Sequence, residues 1–194
     1  MARRSQQALP KQVSVIFQSQ NGRTFAQVTT NAGSIWAPFA YSRIVKVGQY
    51  IVRINPRMEK LRVERSTSIF GPFSSSVNVS IPDNWELRHV SASVHGTSIT
   101  LYYTRIGDAP ERIYRASIDT SQPWGEWALT NEECVRQPEL PWEGAQLPVQ
   151  ISTNGPANSV NQLRDPFIYD DGPNRALFYS YSGESGIAVA TLTE

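Results

Sequence analysis

The sequence predicts an all-β fold of repeated sheets, a β-propeller, on three observations. Short runs of β-branched and aromatic residues are cut by turn residues throughout, with 13 Pro and 12 Gly among 194 residues, which is the pattern of strands rather than helices. No stretch sustains a helical period. A strand, a glycine turn and a second strand recur along the chain, and self-similarity on this scale marks a propeller or solenoid.

The elements follow in order. Residues 1–10 are expected to be a disordered tail, and residues 11–194 a single partial propeller. Val13-Ser14-Val15-Ile16-Phe17 alternates as a strand and Gln20-Asn21-Gly22-Arg23 reads as a turn, so residues 11–30 make part of a blade. Residues 36–80 form a blade around Gly48, with Arg43-Ile44-Val45-Lys46-Val47 before it and Tyr50-Ile51-Val52 after it. Residues 85–132 form a blade around Gly96, with Leu87-Arg88-His89-Val90 before the turn and Leu101-Tyr102-Tyr103 after it. A long connection spans 133–160. Residues 161–194 form a last blade around Gly172, without its outermost strand. The strands before Gly48, Gly96 and Gly172 should then lie side by side around one axis.

Aligning the repeats on their turn glycines places Tyr41, His89 and Asp165 at equivalent positions at the mouth of the central channel. Arg88 and Arg164 are the preceding neighbours of two of them. Successive strand residues point to opposite faces, so one residue of each pair lines the channel and the other packs between blades or meets a carboxylate there.

Composition bounds the function. A formal net charge of +1 with scattered Lys and Arg gives no electrostatic footprint for nucleic acid or an anionic membrane. No apolar run approaches the ~20 residues of a membrane span. The basic start Met1-Ala2-Arg3-Arg4 lacks a following apolar stretch, so it is not a signal peptide, and a cytoplasmic location is expected. Cys134 is the single cysteine. It forms no internal disulfide and reads as a half-buried, unreactive thiol. No metal-ligand spacing or phosphate-cradling glycine loop stands out, and no cofactor or metal is expected.

Four phrases in order carry a family resemblance. They are Tyr103-Thr104-Arg105-Ile106-Gly107-Asp108-Ala109-Pro110, Pro141-Trp142-Glu143-Gly144-Ala145, Arg164-Asp165-Pro166, and Gly183-Glu184-Ser185-Gly186-Ile187. Over residues 85–194 the chain resembles the C-terminal part of bacterial five-bladed propeller proteins related to family-43 and family-32 glycosidases. Residues 36–84 fit more loosely. Those enzymes use paired carboxylates. The resemblance implies Glu143 as a general acid, its pKa raised by Trp142, and Asp165 as a sugar-binding stabiliser of the transition state. Arg164, His89, Arg88, Tyr41 and Trp142 are the accompanying candidates for substrate contact, with an oligosaccharide as the partner.

The departures matter as much. The family's catalytic base or nucleophile opens the first blade, whose inner strand has no counterpart here. Glu133-Cys134 matches the family-32 acid pair in composition but precedes Arg164-Asp165, and is read as coincidence. Plain structural roles stand beside each assignment. Asp165 before Pro166 can pair with an interblade arginine, Glu143 can be a surface carboxylate, and Asp108 and Glu111 can bind Arg105 or Arg112. Trp124, Trp127 and Trp142 can pack or stack on a sugar. Two full and two partial blades leave the ring open, which favours self-association through exposed edges, unless the segment near Val13 to Phe17 supplies the missing last strand. Three readings remain: a glycosidase-like protein inactive as this chain, a non-catalytic carbohydrate-binding propeller, and a structural fragment without independent activity.

Overall fold

The computed structural model describes residues 13–29, 36–56, 60–172 and 174–192. The expected tail at residues 1–10 lies outside them. The first unit is a two-stranded hairpin, β1 (Phe17–Gln18) with β2 (Ala26–Gln27). The second is a four-stranded antiparallel meander of β3 (Arg43–Val47), β4 (Tyr50–Asn55), β5 (Leu61–Ser66) and β6 (Ser75–Val79). The third repeats it with β7 (Glu86–His95), β8 (Ser98–Ile106), β9 (Ile113–Asp119) and β10 (Thr130–Arg136). The last sheet has three strands, β11 (Arg164–Asp171), β12 (Asn174–Tyr181) and β13 (Gly186–Thr191).

The strands before Gly48, Gly96 and Gly172 are β3, β7 and β11. Each is the first edge strand of its own sheet, and β7 packs against both β3 and β11. Each is followed by its glycine at positive φ, 57°, 57° and 61°, before the chain returns in the next strand. That region is open to Gly at no steric cost, and the twist of such turns matches the flanking strands. The repeated sheets around a shared inner edge are the predicted propeller arrangement.

Hydrophobic alternation welds the sheets together. Leu101 and Tyr103 of β8 face the second sheet, where they join Val52, Ile54, Leu61 and Val63 in one core. Tyr102 between them faces the other way, into a core with Ile113, Leu163, Ile168, Leu177 and Tyr179. The third sheet is thus covered on both faces. Each such side chain, when fully buried, contributes about 1.5–3 kcal/mol.

Three placements differ from expectation. Strand β10 runs to Arg136, so the connection begins later than residue 133. The Val13 to Phe17 segment does not complete the last blade: Ser14 bridges to Ala37 and Phe17 pairs with Gln27. Phe178 is 36% exposed, in a row with Phe167 and Val189 on the outer face of the last sheet. Ile187 and Tyr169 extend that open apolar face. Cys134 is exposed rather than half-buried. Among the described residues, no helix is long and apolar enough to cross a membrane.

Candidate functional site

The site grows from two β-bulges. In β7, Leu87 pairs with Arg105 and Val90 with Tyr103, so Arg88 and His89 together oppose Thr104. In β11, Arg164 pairs with Ser180 and Phe167 with Phe178, so Asp165 and Pro166 together oppose Tyr179. Pro166 suits such a position because it has no N–H to give to a ladder. An extra residue bends a strand and re-aims its side chains. Here the bulges turn His89 and Asp165 toward each other across two sheets, and His89 Nδ1 donates to Asp165 Oδ1.

Tyr41 completes the cluster from the segment leading into β3. Its ring lies 4.1 Å from that of His89, tilted by 58°. Tyr41 and Asp165 both hold positive φ, 58° and 51°. For a bulky residue such as tyrosine this costs on the order of 1–3 kcal/mol, and strain of this kind clusters at functional sites. Ser180 Oγ donates to Asp165 Oδ2 at 3.1 Å. Burial raises the Asp165 pKa, but the His89 hydrogen bond and charge, Ser180 and Arg164 together outweigh it and hold the carboxyl below its ordinary value. Asp165 is therefore ionised at neutral pH. His89 Nε2 is buried and has no hydrogen-bond partner among the described residues.

Arg43 belongs to the same cluster, and the repeat alignment did not single it out. It donates to the carbonyls of Tyr41 and Ser42. Burial lowers its pKa and the charge of Asp165 partly restores it. A groove of about 620 Å³ opens beside Tyr41, Ser42, Arg43 and Ile44, with Trp36 and β1 on its other wall. That volume is in the range of small-molecule sites.

Arg88 and Arg164 do not line this depression, contrary to the expected substrate contacts. They are 3% and 1% exposed. Both turn sideways between the third and fourth sheets and bind the buried carboxylate of Glu111, at 2.8 Å and 3.0 Å. Glu111 was expected to serve Arg105 or Arg112; Asp108 takes Arg112 instead, at 3.4 Å, and accepts from Tyr114 at 2.8 Å.

Glu143 is also elsewhere. It closes a short 3-10 turn, Pro141–Glu143, capped by Gly144 at φ 94°, where a side chain would meet the Val160 carbonyl at 2.8 Å. The carboxylate is fully buried. It accepts from the Glu139 and Leu140 amides, from Arg136 at 2.7 Å and from the Tyr179 hydroxyl at 2.7 Å. Burial pushes its pKa up, but these hydrogen bonds prevail and the net shift is downward. The expected raised pKa beside Trp142 is not what the surroundings produce. Trp142 is half-exposed and packs edge-on against Tyr181. The structure thus brings together Tyr41, His89 and Asp165, and leaves Glu143 and Trp142 apart from them.

Trp124 and Trp127 pack edge-to-face on each other, ring centroids 4.7 Å apart. Among the described residues, no group of three or more His, Cys, Asp or Glu is placed to hold a metal ion.

No family model matches the chain. An uncharacterized protein of Acanthamoeba polyphaga mimivirus is 37% identical over 194 residues, covering 93% of this chain and 52% of the viral protein. That relative is viral and gives no support to a bacterial affiliation. The crystal structure of an endo-1,4-β-xylanase from Bacteroides thetaiotaomicron superposes with a TM-score of 0.62 at 18% identity, over 91% of this chain and 59% of that one. An endo-arabinase from the same organism superposes with a TM-score of 0.53 at 12% identity, over 80% and 51%. The chain has the all-β fold of glycosidase-like β-propellers. It spans about half the length of the viral relative.

Proposed function

We propose that the Tyr41–His89–Asp165 cluster is a carbohydrate-binding mouth on a glycosidase-like propeller, and that this chain by itself does not cleave glycosidic bonds. The observation that carries the reading is the His89–Asp165 pair held between two bulged inner strands, with the Asp165 carboxylate kept ionised. An ionised carboxylate accepts hydrogen bonds from two neighbouring sugar hydroxyls. The Tyr41 ring offers an apolar face for stacking, and the adjoining groove gives room for further units. The near-zero formal net charge of +1 fits a neutral ligand.

Hydrolysis needs a carboxyl that is protonated near neutral pH and a second one across the scissile bond. Asp165 is ionised. Glu143 is ionised as well, with its oxygens engaged by Arg136, Tyr179 and two amides. Loss of general acid–base assistance costs about 100- to 10,000-fold per group. The test is a panel of aryl arabinosides, xylosides, fructosides and mannosides with the folded chain, alongside calorimetric titration of the matching oligosaccharides. Binding that disappears in Asp165→Asn without measurable turnover supports the reading. Turnover that disappears in Asp165→Asn or Glu143→Gln overturns it.

One observation favours a second reading, a structural unit that acts only in a larger assembly. The outer face of the last sheet exposes Phe167, Tyr169, Phe178, Ile187 and Val189 together. Exposed apolar patches of this kind mark interaction surfaces, and self-association through this face is the proposed consequence.

A further inference from the structure

We infer that Glu111 is a positioning residue of the mouth: one buried carboxylate ties the inner strands of two sheets together and so sets the separation of His89 from Asp165. The inference rests on the reading of that pair as the binding site. Glu111 is 0% exposed. Its Oε1 accepts from Arg88 Nε at 2.8 Å, and its Oε2 accepts from Arg88 Nη2 at 3.2 Å and pairs with Arg164 Nε at 3.0 Å. Its own carbonyl accepts from the Leu163 amide at 2.9 Å. The two arginines are the residues immediately before His89 and Asp165. Each shares a bulge with its neighbour or borders it, so a movement of either guanidinium is passed directly to the mouth.

The rest of the cluster holds this brace rather than the ligand. Arg88 Nη2 also donates to the Thr153 carbonyl at 2.6 Å, and Arg164 Nη1 to the Gly155 carbonyl at 2.9 Å and to Glu184 at 2.8 Å. Arg164 Nε and Nη2 reach Gln162 Oε1. The connection between the third and fourth sheets therefore seals the arginines from water. Bidentate guanidinium–carboxylate contacts fix direction as well as distance, and misplacement of about 1 Å at a binding or reacting group can cost about 100-fold.

The sign of one titration separates positioning from charge. Asp165 faces His89, Ser180, Arg164 and Arg43. Removing the Glu111 charge acts through space to lower the Asp165 pKa, since one repelling carboxylate is gone. Loosening the strands acts oppositely: it breaks the His89 contact that helps to hold Asp165 down. The experiment follows the Asp165 carboxyl carbon by NMR against pH in the wild-type chain, Glu111→Gln and Glu111→Asp, with Glu64→Gln as control. Glu64 is another buried carboxylate, paired with Arg53 at 2.6 Å in the second sheet.

The expected result is an upward shift of the Asp165 titration in both Glu111 variants, with loss of the imidazole signature of the His89 hydrogen bond, and no shift in Glu64→Gln despite its loss of stability. Should Glu111→Gln fail to fold, Glu111→Asp, which keeps the charge, and Arg88→Lys, which loses the fork, carry the same expectation. An unchanged or lowered Asp165 titration in the folded variants overturns the inference. Because no sugar enters the measurement, its failure leaves the binding reading to its own test.

Discussion

Tyr179 and Ser180, consecutive residues of β12, hold different carboxylates: Tyr179 donates to Glu143 and Ser180 to Asp165. Side chains alternate faces along a strand, so these two neighbours serve two separate carboxylates. One is a strut in the interblade core, next to Arg136. The other sits in the mouth, beside His89. Both carboxylates therefore reach the third sheet, Glu143 at its outer strand through Arg136 and Asp165 at its inner strand through His89.

The strut predicts a stability effect without a functional one. Glu143→Gln should destabilise the chain by about 1–3 kcal/mol, the cost of leaving buried partners unsatisfied. Arg136 is partly exposed, which keeps the loss below that of a fully buried pair. Urea unfolding measures it, and oligosaccharide affinity should stay at the wild-type value at temperatures where the variant remains folded.

Much of this was legible in the sequence, for physical reasons. Tight turns need glycine at positive φ, so Gly48, Gly96 and Gly172 fixed the register of the repeats, and the register brought Tyr41, His89 and Asp165 to one place. The alternation rule separated each arginine from its neighbour but did not say which of the two faces the mouth, and the arginines expected to contact substrate are the buried ones. What the sequence hid depends on partners distant along the chain. Glu111 reaches Arg88 and Arg164 rather than the nearer Arg105 and Arg112, and Glu143 meets Arg136 and Tyr179. Arg43 lay one strand start away from the aligned position. A local tryptophan suggested a raised pKa for Glu143, but no local pattern announces an arginine, a tyrosine and two amides converging on one carboxylate.

Acid should weaken the fold through the same groups. Asp165 and Glu143 have folded pKa values held below their ordinary ones. The unfolded chain therefore binds more protons than the folded one as pH falls below about 5. Their contribution is fully present above the unfolded value of about 4 and is lost as pH drops through it toward the folded values. The stability difference between the wild-type chain and Asp165→Asn should shrink steadily from pH 5 to pH 3. Asn tolerates the positive φ at this position, so the comparison isolates the charge. A difference that stays constant over this range would sink the assignment.

The open face of the last sheet predicts concentration-dependent association. Phe167, Phe178 and Val189 form one cross-strand row, with Ile187 76% exposed beside it. Sedimentation velocity should show larger species growing with concentration. Ile187→Lys combined with Val189→Lys should shift the distribution toward the monomer without changing the circular dichroism of the sheets. A wild-type chain that stays monomeric at all concentrations would remove self-association from the account.

The central claim, a carbohydrate-binding mouth built on His89 and Asp165, is tested most directly by mapping an oligosaccharide titration on the protein's amide and imidazole NMR signals. Xylo- and arabino-oligosaccharides should move the signals of Tyr41, Arg43, His89, Asp165 and Ser180 saturably, and Asp165→Asn should abolish the response while the rest of the spectrum stays folded. Saturable shifts centred on Trp142 and Glu143 instead, or no shifts with any sugar tested, would contradict it.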